Sequence, residues 1–199
     1  MVRQEANQGG RSTSMAGSRV VLLLALLGGL IPGRLDAQTD AGAERAEAIY
    51  LKKMLSFVQW PISPGVSDEA FQVCVVGGHR NSYVFAEEMR GTKVQGRKIE
   101  VRSVRNEESL KNCKVLFIGS PEPKSRAKLL ESVKGAQMLT VGDDPGFLEA
   151  GGILEFSYAG NTIQFTVNLQ AARNASLKID ARLLTLARRV VTEKEAAGT

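Results

Sequence analysis

Histidine occurs once in the 199 residues, tryptophan once and cysteine twice. A lone His79 excludes a metal site built on several imidazoles and leaves a Ser-His-Asp triad just one base. No G-x-S-x-G segment offers that base a nucleophile. There is no P-loop and no calcium loop, and "VVGGHRN" lacks the G-x-G-x-x-G spacing that brings backbone amides against a pyrophosphate. Basic residues are scattered among acidic ones, and no basic run alternates with stacking aromatics, which argues against nucleic acid as a partner. These absences name no cofactor, no metal and no catalytic group, and they suit binding better than catalysis.

What is present begins with a leader. A basic run ending at Arg19 precedes "VVLLLALLGGLI", and "PGRLDA" follows, the order of a secretory signal peptide. That apolar run is shorter than the roughly 20 residues a membrane-spanning helix needs. The expectation is a signal peptide over residues 1–37, cut after Ala37, with Met15 as an alternative start and an uncleaved anchor as the competing reading. The exported chain is then not inserted in the membrane. Removing the leader leaves 22 basic against 19 acidic residues, a mild surplus. Residues 38–192 fit one domain with its own core, and 193–199 read as a frayed polar tail. Two cysteines in an exported protein allow one pairing, Cys74 with Cys113, against the alternative of two buried thiols.

The element pattern is α/β. From Ala43 to Val58 apolar residues recur at helical spacing, and "WPISPGVSD" ends the helix. "FQVCVVGG" and "KVLFIGS" read as buried strands, "RKIEVRSV" and "AQMLTVGD" as further strands. "NSYVFAEEM" reads as a helix opened by an Asn or Ser cap, "NEESLKN" as a short helix or turn, and "EPKSRAKLLESVKG" as a helix closed by Gly135. "GGILEFSYAGNTIQFTVNL" predicts an antiparallel hairpin turning at Ala159, Gly160 and Asn161. "QAARNASLKIDARLLTLARRV" predicts two helical pieces meeting near Asn174 and Ser176. The whole predicts a single three-layer domain, a mainly parallel sheet with helices on both faces and a C-terminal hairpin.

Open α/β sheets place ligands at the carboxyl ends of their strands, here "GGHRNS", "GSPEP" and "VGDDPGF". His79 reads as an exposed loop residue. Asp143 and Asp144 could edge a cation site but sit in ordinary Asp-Pro-Gly turn chemistry. Glu155 alternates with Leu154 and Phe156 and is expected to point out of the core into solvent.

Together "IYLKKMLSFVQWP", "FQVCVVGG", "KVLFIGS" and the long block from "LTVGDDPGF" to "LARRV" resemble the YfiR family, over about Ala46 to Val190. The most specific parts are F-x-x-W-P at Phe57 to Pro61 and the ordered series G-F-x-x-x-G-G-I, N-L-x-A-A-R, L-K-I and L-L-x-L-A. The resemblance implies a periplasmic, dimeric α/β protein without known catalysis. It also implies a repressor that binds the periplasmic sensing domain of a membrane diguanylate cyclase and limits cyclic di-GMP and biofilm formation. Cys74 and Cys113 fall where such proteins can form a disulfide, whereas the second cysteine pair of the namesake is missing. Interfaces favour aromatic and Arg anchors, which makes Trp60, Tyr83, Tyr158 and Arg173 the partner- or ligand-binding candidates. Trp60 is equally suited to closing the core at the helix exit. A small-molecule-binding accessory of a sensor kinase or uptake system is the alternative.

Overall fold

Buried parallel strands need apolar side chains on both faces, and "FQVCVV" and "CKVLFI" supply them. In the computed structural model, which describes residues 36–61, 69–76, 79–105, 107–119 and 123–192, these become the central strands. The expected leader up to residue 35 and the tail 193–199 lie outside the described residues, as does most of "GSPEP". The chain opens with α1 (Asp36–Met54), a 3₁₀ turn at Leu55–Phe57 and β1 (Val58–Gln59). Then come β2 (Phe71–Val76), α2 (His79–Met89), β3 (Lys93–Val94), β4 (Arg97–Ser103), a 3₁₀ turn at Glu107–Leu110 and β5 (Cys113–Ile118). After α3 (Pro123–Ser132) and β6 (Leu139–Gly142) follow β7 (Leu154–Ala159), β8 (Thr162–Asn168) and α4 (Leu169–Asn174). The domain closes with β9 (Lys178–Ile179), α5 (Ala181–Leu186) and β10 (Arg189–Val191).

Among the described residues, eight strands form one sheet in the order β10-β8-β7-β6-β5-β2-β4-β3, and β1 and β9 form a separate two-stranded clasp. Strand β2 pairs in parallel with β4 and β5, β5 with β6, and β6 with β7. Strands β7 and β8 pair antiparallel, as the sequence predicts, but the turn is the two residues Gly160–Asn161, and Ala159 is not part of it because it pairs with Thr162. Alternation along the central strands splits the core. Phe71, Val73, Val75, Val115 and Phe117 pack with α1 and α2 on one face, while Leu116, Ile118 and Cys74 pack with Leu130 and Val133 around α3 on the other. The sheet thus carries helices on both faces, and the expected α/β fold with a mainly parallel sheet is what the chain adopts.

Cys74 and Cys113 form a disulfide between adjacent strands, with Cα atoms 5.8 Å apart. Trp60 is buried at 4% exposure. Its indole N–H donates to the Lys114 carbonyl at 3.1 Å, and its ring meets Phe71 edge-on at 4.8 Å. It closes the core where Pro61 ends the clasp strand, with its one polar atom satisfied at the rim.

Several local expectations need correction. Helix α2 opens at His79, two residues before the Asn cap read from the sequence, so His79 is helical backbone and not loop. A short hairpin, β3 to β4, turns at Gln95 and Gly96, whose φ angles of 49° and 81° are those of a tight hairpin turn. The C-terminal segment predicted as two abutting helices is helix, strand, helix, strand. Ser176, at φ 57°, ends the first helical piece, and Lys178 and Ile179 then pair with β1. The helical spacing of the apolar residues there conceals a strand too short for its own period to register.

Phe147 is fully buried, and a Cβ placed on Gly142 or on Gly152 would overlap its ring. The Gly-Phe-Gly-Gly pattern is therefore a steric cradle. Phe147→Ala should lower stability by about 3 to 5 kcal/mol, read by equilibrium unfolding followed through Trp60. Alkylation without reductant should leave both cysteines unmodified, and reduction should cost roughly 4 kcal/mol for this sequence separation of 39. Two alkylated cysteines in the unreduced protein would contradict the bridge.

Candidate functional site

Helix α1 buries Ala48, Leu51 and Met54 in the core it shares with α2, and Tyr50, Lys53 and Met54 near its end face Ile163 and Phe165 of β8 across a groove. The chain leaves that helix at Phe57, and there the C-terminal segment fastens to it. Val58 pairs with Ile179 and Gln59 with Lys178, and the amide of Asp180 donates to the Phe57 carbonyl at 2.8 Å. Asp180 then caps α5, accepting from the Arg182 amide at 2.8 Å. The Arg182 guanidinium bonds the same carboxylate at 2.8 Å and rests 5.3 Å from the Phe57 ring. Those hydrogen bonds from the Arg182 side chain, then from its amide, hold the Asp180 carboxyl down at about 2 from its ordinary 3.8.

This fastening leaves a groove of about 470 Å³ between α1, β8 and α5. Its wall on α1 is Tyr50, Lys53 and Met54, extended by Phe57. Ile163 and Phe165 of β8 form the floor, and Leu183 and Leu186 of α5 the opposite wall. Arg188 closes it, held by its amide donating to the Phe165 carbonyl at 2.8 Å. Leu186 is 69% exposed, the most exposed large apolar side chain among the described residues. Among the described residues, the charged ones lining the groove, Lys53 and Arg188, are both cationic. An apolar floor with a positive rim suits an apolar side chain carried by an acidic segment.

The groove lies within a stretch recognised independently. Residues 44–188 match the model of the YfiR/HmsC-like family, taking in every groove-lining residue and the disulfide. The chain belongs to the YfiR/HmsC-like family. Its fold also resembles solved structures at low identity. The ABC domain in complex with L-Trp from Streptococcus pneumonia superposes with a TM-score of 0.52 at 10% identity, over 72% of this chain and 60% of that one. A conserved domain protein from Vibrio cholerae O1 biovar El Tor gives 0.52 at 11% identity, over 74% and 60%. The chain spans about 60% of the length of each, and at this identity the likeness is one of fold alone.

Within the YfiR/HmsC-like domain, the four anchors chosen by residue type do not come together in the groove. Trp60 is in the core, Tyr83 is 67% exposed on α2, and Arg173 is exposed at the end of α4. Tyr158, 45% exposed, bonds through its hydroxyl to the carboxylate of the buried Glu47 on α1. The groove residues carry no mark of their own in the sequence, because the apolar ones are ordinary members of amphipathic elements and the two cations are ordinary surface residues. The available signal was an excess: "LLTLARR" carries more leucine than a six-residue helix can bury on one face.

The loop after β6 is structural. Asp144 pairs with the buried Arg126 at 3.0 Å. Glu155, expected in solvent, instead accepts the amide hydrogens of Phe147 at 3.0 Å and Leu148 at 3.3 Å. Its carboxylate ties the aromatic cradle to β7, because a tight turn leaves amides that need an acceptor. Among the described residues no group of His, Cys, Asp and Glu could hold a metal ion. None of the described helices is long and apolar enough to cross a membrane.

Asp180→Ala should lower the thermal midpoint at neutral pH by loosening α5. A carboxyl whose folded pKa is depressed to about 2 stabilises fully above 3.8 and loses that contribution as pH falls through about 2. The gap between variant and wild type should therefore narrow over that acid range in melts at successive pH values.

Proposed function

We propose that this YfiR/HmsC-like protein is an exported regulator that restrains a membrane-bound diguanylate cyclase by binding its periplasmic sensing domain. It would thereby limit cyclic di-GMP and biofilm formation. In this reading residues 1–37 are removed as a signal peptide and 38–192 are the folded domain in the periplasm. The family match over residues 44–188 supports the class of role. The observation that carries the mechanism is the groove, with Leu186 exposed beside Lys53 and Arg188. Its occupant is an apolar side chain of the cyclase's sensing domain flanked by acidic residues, drawn in by the two cations and held by burial against Phe165 and Met54. Tyr83 and Arg173, both exposed, are further contacts in this reading, and the resemblance adds a homodimer.

The groove's volume also falls in the range of small-ligand pockets, which favours as a second reading a small-molecule-binding accessory of a sensor kinase or uptake system. The two readings part on deletion of the gene. Under the first, cyclic di-GMP rises when the cyclase is present and not when it is absent, and wild-type protein restores the lower level. Leu186→Glu should melt as the wild type does, since the residue is solvent-facing, yet fail to restore repression. No rise on deletion would sink the repressor reading.

A further inference from the structure

Glu47 is 3% exposed on α1, and its carboxylate accepts the hydroxyl hydrogen of Tyr158 across the seam to β7. A carboxyl in such a place is costly to ionise unless a cation faces it. The charged groups that act on it are acidic: Asp143 in the segment after β6 and Glu44 one turn back on α1. Of the α1 cations, Arg45 pairs with Glu88 of α2 at 2.7 Å and the Lys52 ammonium donates to the Glu88 carbonyl at 2.7 Å, while Lys53 lines the groove further along the helix. Glu47 also shares its helical stripe with Tyr50, Met54 and Phe57, the residues that wall the groove.

We propose that Glu47 and Tyr158 form a proton-operated latch, which seats α1 on the β7–β8 hairpin while Glu47 is protonated and loosens the groove wall when it ionises. This regulation rests on the groove being the docking surface. Burial first, then the charges of Asp143 and Glu44, raise the Glu47 carboxyl to about 7 from its ordinary 4.5, against a smaller lowering by the Tyr158 hydrogen bond. Burial, then the bond to Glu47, push the Tyr158 hydroxyl upward, so it stays a donor. With the folded carboxyl raised, the folded chain keeps a proton that the unfolded chain releases above 4.5. The latch's contribution is complete below 4.5 and is lost as pH rises to about 7. Beyond that, a buried negative charge faces two others, and the relief available is movement of α1 or entry of water. The groove is thus formed in acid and loosened in mild alkali, and partner binding strengthens as pH falls toward about 6.

The test is made on the full chain without partner. The Glu47 carboxyl is titrated by carbon NMR, and amide exchange over residues 48–57 is followed at about pH 6 and about pH 8.5 after correction for intrinsic rates. The midpoint should fall near 7, and protection over 48–57 should drop about tenfold at the higher pH while β5 is unchanged. Glu47→Gln, a permanently neutral mimic, should abolish that drop, and Tyr158→Phe should lower protection at the acid pH. A midpoint near 4.5, or the same drop in Glu47→Gln, overturns the latch. The titration needs no variant, so it decides the matter even if a substitution fails to fold. Either result leaves the docking reading to its own test, because no partner is present.

Discussion

The groove depends on one clasp of backbone: Val58 and Gln59 paired with Ile179 and Lys178, continued by the Asp180 amide on the Phe57 carbonyl. Two residues per strand contribute little by themselves. What secures the clasp is what stands on either side of it. Before it, Met54 and Leu55 are buried in the core; after it, Leu183 enters the same core from α5. The clasp joins segments more than 110 residues apart, near the beginning and end of the domain. It fixes the distance between α1 and α5, and that distance is the groove. Trp60 belongs to this arrangement as an anchor beneath it, since its carbonyl accepts from Gln95 at 3.0 Å while its indole reaches Lys114.

The sheet is a rigid floor for that clasp. Strands β2 and β5, buried on both faces and bridged by the disulfide, can move little without opening the whole core. Around it, α1 buries Ala48, Leu51 and Met54 in the core and adds polar ties at Glu47–Tyr158 and to Glu88 of α2, while α5, a six-residue helix, is held by the Asp180 cap and the buried Leu183. Regulation by a bound partner needs a surface that can be altered without unfolding the domain. A firm sheet bordered by the short helix α5 and by the polar ties of α1 supplies that surface.

Much of the fold was legible because its signals are long. The six-residue apolar runs of β2 and β5, the alternation of β7 and β8, and the turn at Gly160–Asn161 each state a period that no competing element shares. The clasp was not legible, since two-residue strands have no period and Lys178–Ile179 reads equally as helix. Residue type alone does not identify anchors: Trp60 and Tyr158 look like interface residues, yet the fold uses one as a core lid and the other as a partner for Glu47. Glu155 shows the same limit, for its spacing predicts the face it lies on but not the two amides waiting there. The groove itself emerges from three elements brought together by tertiary contacts.

The central claim is that the face formed by α1, β8 and α5 meets the cyclase. Its most direct test places a photo-activated cross-linker at Leu186 in one strain and at Lys128, on α3 across the sheet, in another, with irradiation of intact cells. The account predicts a covalent adduct between the Leu186 position and the periplasmic domain of the cyclase, and none from Lys128. Adducts from Lys128 with none from Leu186 would contradict it.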